Sequence, residues 1–174
     1  MSYNDLEKYI SYKFKNIELL DQALTHKSYD NKLNNERLEF LGDSLLNAVI
    51  SHYLYQRFSN EKEGLLTRMR AQLVKAETLT QKAEDLGLQE HIKLSKGTAN
   101  LSKDRKNSIL EDAFEAVIGA IFIDSGWDIT NSTILNLYKK ELAALSSDMT
   151  FKDSKTELQE LSLIHISEPT RPLI

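Results

Sequence analysis

The first proline in this 174-residue chain is Pro169. Upstream of it no proline ring removes a backbone donor or breaks a helix, so any segment with helical periodicity can run its full length. Period-two runs of β-branched residues are nearly absent, whereas apolar residues recur at helical spacing throughout. The pattern predicts an all-α fold, with helices at about 3–11, 16–24, 36–58, 63–75, 77–86, 109–125 and 129–145. Gly87 and Gly126 follow the ends of two of these segments and suit helix C-caps. The polar stretch 95–107 reads as the longest loop, and no internal repeat is apparent. A hydrophobic content of 41% is enough for one domain with a sizeable core.

Two of the expected helices carry acids inside apolar sequence. In Asn35-Glu36-Arg37-Leu38-Glu39-Phe40-Leu41-Gly42-Asp43-Ser44, the carboxylates of Glu36, Glu39 and Asp43 fall in one sector of the helix. Some seventy residues later, Asp112 and Glu115 neighbour each other on one face of Ser108 to Ala120. Ser108 followed by Glu111 reads as a capping box, which would start that helix at Ile109. Carboxylates gathered at the edge of an apolar region repel one another and lose solvation, so something positive should compensate. Mg²⁺ is the economical candidate, being a hard cation held by a few carboxylates and substrate phosphates. The bland alternative is that these acids face solvent or pair with Arg37, Arg68 or Arg70.

The rest of the composition narrows the chemistry. With no cysteine there is no disulfide, thiolate metal site or cysteine nucleophile, in keeping with a reducing compartment. The N-terminus lacks the pattern of a secretion signal and no apolar run is long enough for a membrane span, so a cytoplasmic protein is expected. A net charge of −4 argues against a strongly basic nucleic-acid module, although Lys103, Arg105 and Lys106 concentrate positive charge before the second acidic segment. The histidines His26, His52, His91 and His165 lack the spacing of a zinc site, and His26 reads as a packed, hydrogen-bonded residue. Trp127 reads as a packing residue at a helix junction.

Asn35 to Ser44 resembles the signature of bacterial ribonuclease III, the endonuclease that cuts double-stranded RNA. Ala23-Leu24-Thr25-His26-Lys27-Ser28-Tyr29 resembles the family's early helix and turn. Glu63-Gly64 with Arg68-Met69-Arg70-Ala71 resembles its next helix, and Ser108 to Gly119 its second catalytic helix. The resemblance spans about residues 5–160 and departs from the usual pattern at Thr98-Ala99-Asn100-Leu101-Ser102.

The resemblance implies a helical-bundle endonuclease domain in which Glu39, Asp43, Asp112 and Glu115 bind Mg²⁺, with Mn²⁺ a possible substitute. Asp43 and Glu115 carry most of the chemistry, and Glu36 and Glu63 support the site or touch a partner subunit. Phe40 matches an apolar residue that inserts into a second subunit, although the sequence alone favours an ordinary core aromatic. Implied too are a homodimer, staggered cuts that leave 5′-phosphate and 3′-hydroxyl ends, and a role in processing ribosomal and other precursor RNAs. Two rivals remain: a non-catalytic ribonuclease III-like module and a compact form with no RNA-binding domain. A non-catalytic module is expected to lose at least one metal carboxylate, and all four matching positions are acidic. Lys152 to Glu160 resembles the opening of a double-stranded-RNA-binding domain and argues against the compact form. The expected organisation is a catalytic domain at 1–148, a linker and truncated binding domain at 149–161 with a helix near 153–161, and a non-native tail at 162–174. That tail resembles translated sequencing-adapter DNA.

Overall fold

The computed structural model describes residues 2–98 and 100–146, and among these the regular structure is helical. The helices are α1 (Tyr3–Ile10), α2 (Ile17–Ala23), α3 (Glu36–Arg57), α4 (Glu63–Leu73), α5 (Ala76–Asp85), α6 (Lys103–Ser125), α7 (Trp127–Leu137) and α8 (Lys139–Ala144). Two short 3-10 turns, Leu88–Glu90 and Lys96–Thr98, lie between α5 and α6. The expected helix at 153–161, the domain boundary at 148 and the tail at 162–174 lie outside the described residues.

At the centre stands α6. From Ala113 to Ile121 every residue except Glu115 is buried, so neighbours must surround the helix rather than flank one face. Those neighbours are α3, α5, α2 and α7, and α3 forms the most extensive pair with it. The two run antiparallel and their backbones touch. An ideal Cβ on Gly42 would stand 1.7 Å from the Glu115 carbonyl oxygen, and one on Gly119 2.2 Å from that of Leu38. Only glycine fits at either point. Around this crossing the core gathers Leu6, Ile10, Leu20, Leu46, Ile50, Met69, Phe114, Ile118 and Tyr138.

Three details depart from the sequence pattern. Helix α6 starts at Lys103, six residues before the expected Ile109. Its N-cap is Ser102, whose hydroxyl accepts a bond from the Arg105 N–H at 3.4 Å. Ser108 and Glu111 therefore lie within a helix already under way, and the capping box is not one. The early turns are exposed and need no apolar period, so periodicity could not reveal them. The expected helix at 129–145 breaks at Tyr138 into α7 and α8. The buried ammonium of Lys82, from α5, donates to the Leu137 carbonyl at 2.8 Å and pairs with Glu141. That takes the acceptor a continuous helix would use, through a partner 55 positions away in sequence. Trp127 opens α7 and stays 43% exposed, so it is not the packing residue expected. Gly87 and Gly126 do end helices, both at positive φ.

Candidate active site

The crossing of α3 and α6 fixes where the acids stand. Gly42 precedes Asp43 and touches the backbone of Glu115, while Gly119 touches Leu38, the neighbour of Glu39. The close backbone approach thus brings Glu39, Asp43, Asp112 and Glu115 into one electrostatic group. Burial pushes the Glu115 carboxyl up to about 8, helped by the negative charges of Asp43, Glu39, Asp112 and Glu111. Glu39 is raised by burial first, then by Asp112 and Glu36, with Lys27 opposing. Asp112 is raised by burial, against the pull of His26 and Lys27. Glu111 is raised by burial and by Asp112, so it belongs to the margin of this group rather than to a helix cap.

The remaining expected residues divide. Glu36 is exposed and accepts a bond from the Lys27 ammonium at 2.8 Å. Glu63 is not brought to the group: it opens α4 and accepts a bond from the Thr67 hydroxyl at 2.7 Å. Arg70 of α4 donates to Ser51 of α3 at 3.0 Å, so α4 runs back along α3. Glu63 thus follows the C-terminal end of α3, whereas Glu39 stands in the first turn of that helix. Phe40 is no core aromatic, being 77% exposed. Lys103, Arg105 and Lys106 sit on the first turns of α6 rather than in a loop, and they diverge. Arg105 lines a cleft of about 550 Å³ with His26, Lys27 and Asp112, whereas Lys103 and Lys106 line a separate cavity bounded by Ile92, Leu94 and Leu110.

Two residues that the acidic pattern does not reveal complete the surroundings. Asn47, one turn beyond Asp43, donates to the Asp43 Oδ1 at 2.8 Å and to its carbonyl at 3.0 Å, fixing that carboxylate. The i, i+4 spacing was its available signal. Lys27 is the other, reached through the segment after α2. His26, half-buried as expected, accepts the Ser28 N–H at Nδ1 (3.1 Å), and burial lowers its pKa.

As the side chains stand, no three acidic or imidazole groups among the described residues converge closely enough to share one metal ion. The donor chemistry nonetheless suits a hard cation. It consists of carboxylate oxygens alone, and the most buried of them, Glu115, holds its proton to about pH 8 under the repulsion of the others.

Residues 16–142 match the family model described as Ribonuclease-III-like. The chain belongs to the ribonuclease III family. A ribonuclease 3 from Marinomonas sp. is 47% identical over 158 residues, covering 91% of this chain and 69% of the relative. One from Shewanella baltica is 47% identical over 164 residues, covering 94% and 70%. The nuclease domain of ribonuclease III from Campylobacter jejuni superposes with a TM-score of 0.77 at 40% identity, over 82% of this chain and 99% of that domain. Dicer from Pichia stipitis is more distant, with a TM-score of 0.59 at 31% identity, over 84% of this chain and 67% of that one. Membership of the ribonuclease III family makes the chain an endoribonuclease with the all-α nuclease fold. No helix among its described residues is long and apolar enough to cross a membrane.

Proposed function

We propose that this domain hydrolyses the phosphodiester bonds of double-stranded RNA, using divalent cations held by Glu39, Asp43, Asp112 and Glu115. The observation that carries this reading is the cluster of mutually repelling carboxylates at the α3–α6 crossing, with Glu39, Asp112 and Glu115 half-buried, Asp43 exposed beside them, and Glu115 raised to about 8. Such a field disfavours its own charges and rewards a cation. When bound, a divalent ion supplies activation of water near neutral pH and charge stabilisation of the departing 3′ oxygen. The protein's own contribution is to hold the acids. Asn47 fixes Asp43, and the glycine contact sets the spacing of the two helices. Glu36 supports the site from its margin, while Glu63 is left for another role, such as contact with a partner subunit. Mg²⁺ is the proposed metal and Mn²⁺ a substitute; the products carry 5′-phosphate and 3′-hydroxyl ends.

The same reading makes the protein a cytoplasmic homodimer acting on ribosomal and other precursor RNAs, with Phe40 at the dimer interface. The nuclease domain of ribonuclease III from Campylobacter jejuni has a region involved in dimer formation. Lys103, Arg105 and Lys106 are proposed RNA contacts, with Arg105 the one beside the acids. The proposed organisation places the catalytic domain at 1–148, a linker and the first residues of a double-stranded-RNA-binding domain at 149–161, and a non-native stretch at 162–174.

Glu115→Gln keeps the shape of the side chain and removes its charge. Cleavage of a blunt RNA duplex with Mg²⁺ should fall at least about 100-fold, as expected for losing a group that holds the metal. Asp43→Asn should behave likewise, with folding unchanged by circular dichroism. Full Mg²⁺-dependent cleavage by Glu115→Gln would remove the reading.

A further inference from the structure

The cleft beside the acids has walls from two places. One is the segment after α2, with His26, Lys27 and Ser28; the other is the start of α6, with Asp104, Arg105 and Asp112. Its volume of about 550 Å³ lies within the usual range for a ligand site. The backbone of the first wall is pinned. The His26 N–H donates to the Lys93 carbonyl at 3.1 Å, and the Ser28 hydroxyl accepts the Ser95 N–H at 3.2 Å.

The Lys27 side chain is held differently. Its ammonium is bonded to Glu36 at 2.8 Å, but the two side chains are 61% and 52% exposed. An exposed pair of this kind contributes little and exchanges readily for another anion. Its position matters more than its strength, because the Lys27 charge is felt at both Asp112 and Glu39. The cations Lys27 and Arg105 balance the carboxylates Asp104 and Asp112, so the cleft is neutral although it adjoins an acidic group. The N-terminal end of α6 adds partial positive charge there. A polyanion approaching these acids along this path meets the cations Lys27 and Arg105.

We infer that Lys27 releases Glu36 to hold a backbone phosphate of the RNA strand in this cleft, with Arg105 as the second cationic contact from the opposite wall. This rests on the proposed reading of the domain as a duplex-RNA nuclease. Lys27 is thereby a binding residue, not a catalytic one.

The test uses the full chain carrying Glu115→Gln, so that binding is measured without cleavage. Affinity for a blunt RNA duplex is followed by fluorescence anisotropy between 50 and 200 mM salt (about a fourfold span), where each phosphate contact contributes to the slope. Adding Lys27→Met should weaken binding and reduce the slope of log K against log salt by about 1. Lys27→Arg should restore both, while Lys139→Met, an exposed lysine on α8, should leave the slope unchanged. Equal slopes with and without Lys27→Met would overturn the inference, as would an equal reduction from Lys139→Met. Those results would leave the nuclease reading intact, provided the parent chain cleaves duplex RNA. A parent chain that neither binds nor cleaves it would overturn both.

Discussion

Glu115 makes the stability of the domain depend on pH in a direction opposite to that of an ordinary salt-bridged acid. Its carboxyl titrates near 4.5 when free of the fold and at about 8 within it. Between those values the folded state keeps a proton that the unfolded state has lost, so stability falls as pH rises through the window. Glu39, Asp112 and Glu111 are raised too and act in the same sense, so Glu115 has to be isolated by difference. In EDTA, the melting temperature of Glu115→Gln minus that of the parent should be smallest below pH 4.5, grow steadily to pH 8, and then level. Mg²⁺ should narrow the gap at pH 8, because the ion stabilises the parent through the charge that the variant lacks. A difference independent of pH between 4.5 and 8 would mean that Glu115 does not carry the shift. The His26 imidazole is shifted the other way: burial and the Lys27 charge lower its pKa, while Asp112 and Glu36 oppose them.

At the scale of elements, the site depends on how closely α3 and α6 approach. Alanine has the higher helix propensity by about 1 kcal/mol, so an exposed glycine in either helix would be improved by Gly→Ala. At Gly42 the new methyl would meet the Glu115 carbonyl at 1.7 Å, and at Gly119 that of Leu38 at 2.2 Å, so the helices must part. Gly42→Ala and Gly119→Ala should each cost about 1–3 kcal/mol or more through overpacking. For a domain of this size that lowers the melting temperature by roughly 2–12 °C, and nuclease activity should fall further than stability explains, because the acids move apart with the backbones. Gly64→Ala, in open space on α4, is the control and should be neutral or stabilising. An unchanged melting temperature for Gly42→Ala would show that the crossing yields without cost. Helix existence was legible in the sequence because it is written locally, in apolar period and glycine caps. What the sequence could not show came from partners distant along the chain. The Leu137 carbonyl is taken by Lys82, and Gly42 faces Glu115 across the crossing. The four carboxylates were legible because each sits in apolar helix, where a charge needs a reason. Lys27 and Asn47 were not, since a lysine in a turn and an asparagine in a helix are ordinary until their neighbours are known.

On the scale of the whole molecule, Phe40 is the residue out of place. It lies on α3 between buried Leu38 and buried Gly42, beside half-buried Glu39, yet is 77% exposed. An aromatic ring in that position contributes nothing to the core of its own chain, which separates two roles that the sequence left tangled. If Phe40 were there for folding, Phe40→Ala would lower the melting temperature of the monomer. If it is there for a second copy, the monomer is indifferent and the assembly suffers twice, because an isologous interface uses each residue on both subunits. Burying one phenylalanine side chain contributes about 1.5–3 kcal/mol. Two per dimer correspond to a dissociation constant weakened by about 100- to 10,000-fold. Phe40→Ala should therefore leave the helical signal intact and the monomer as stable as before. In sedimentation at micromolar concentration, the parent should run as a dimer and the variant should shift toward monomer. A parent that sediments as a monomer at that concentration would exclude the dimer. A dimer that persists in Phe40→Ala with its affinity unchanged would place the interface elsewhere, and the exposed ring at the edge of the acids would then need another occupant.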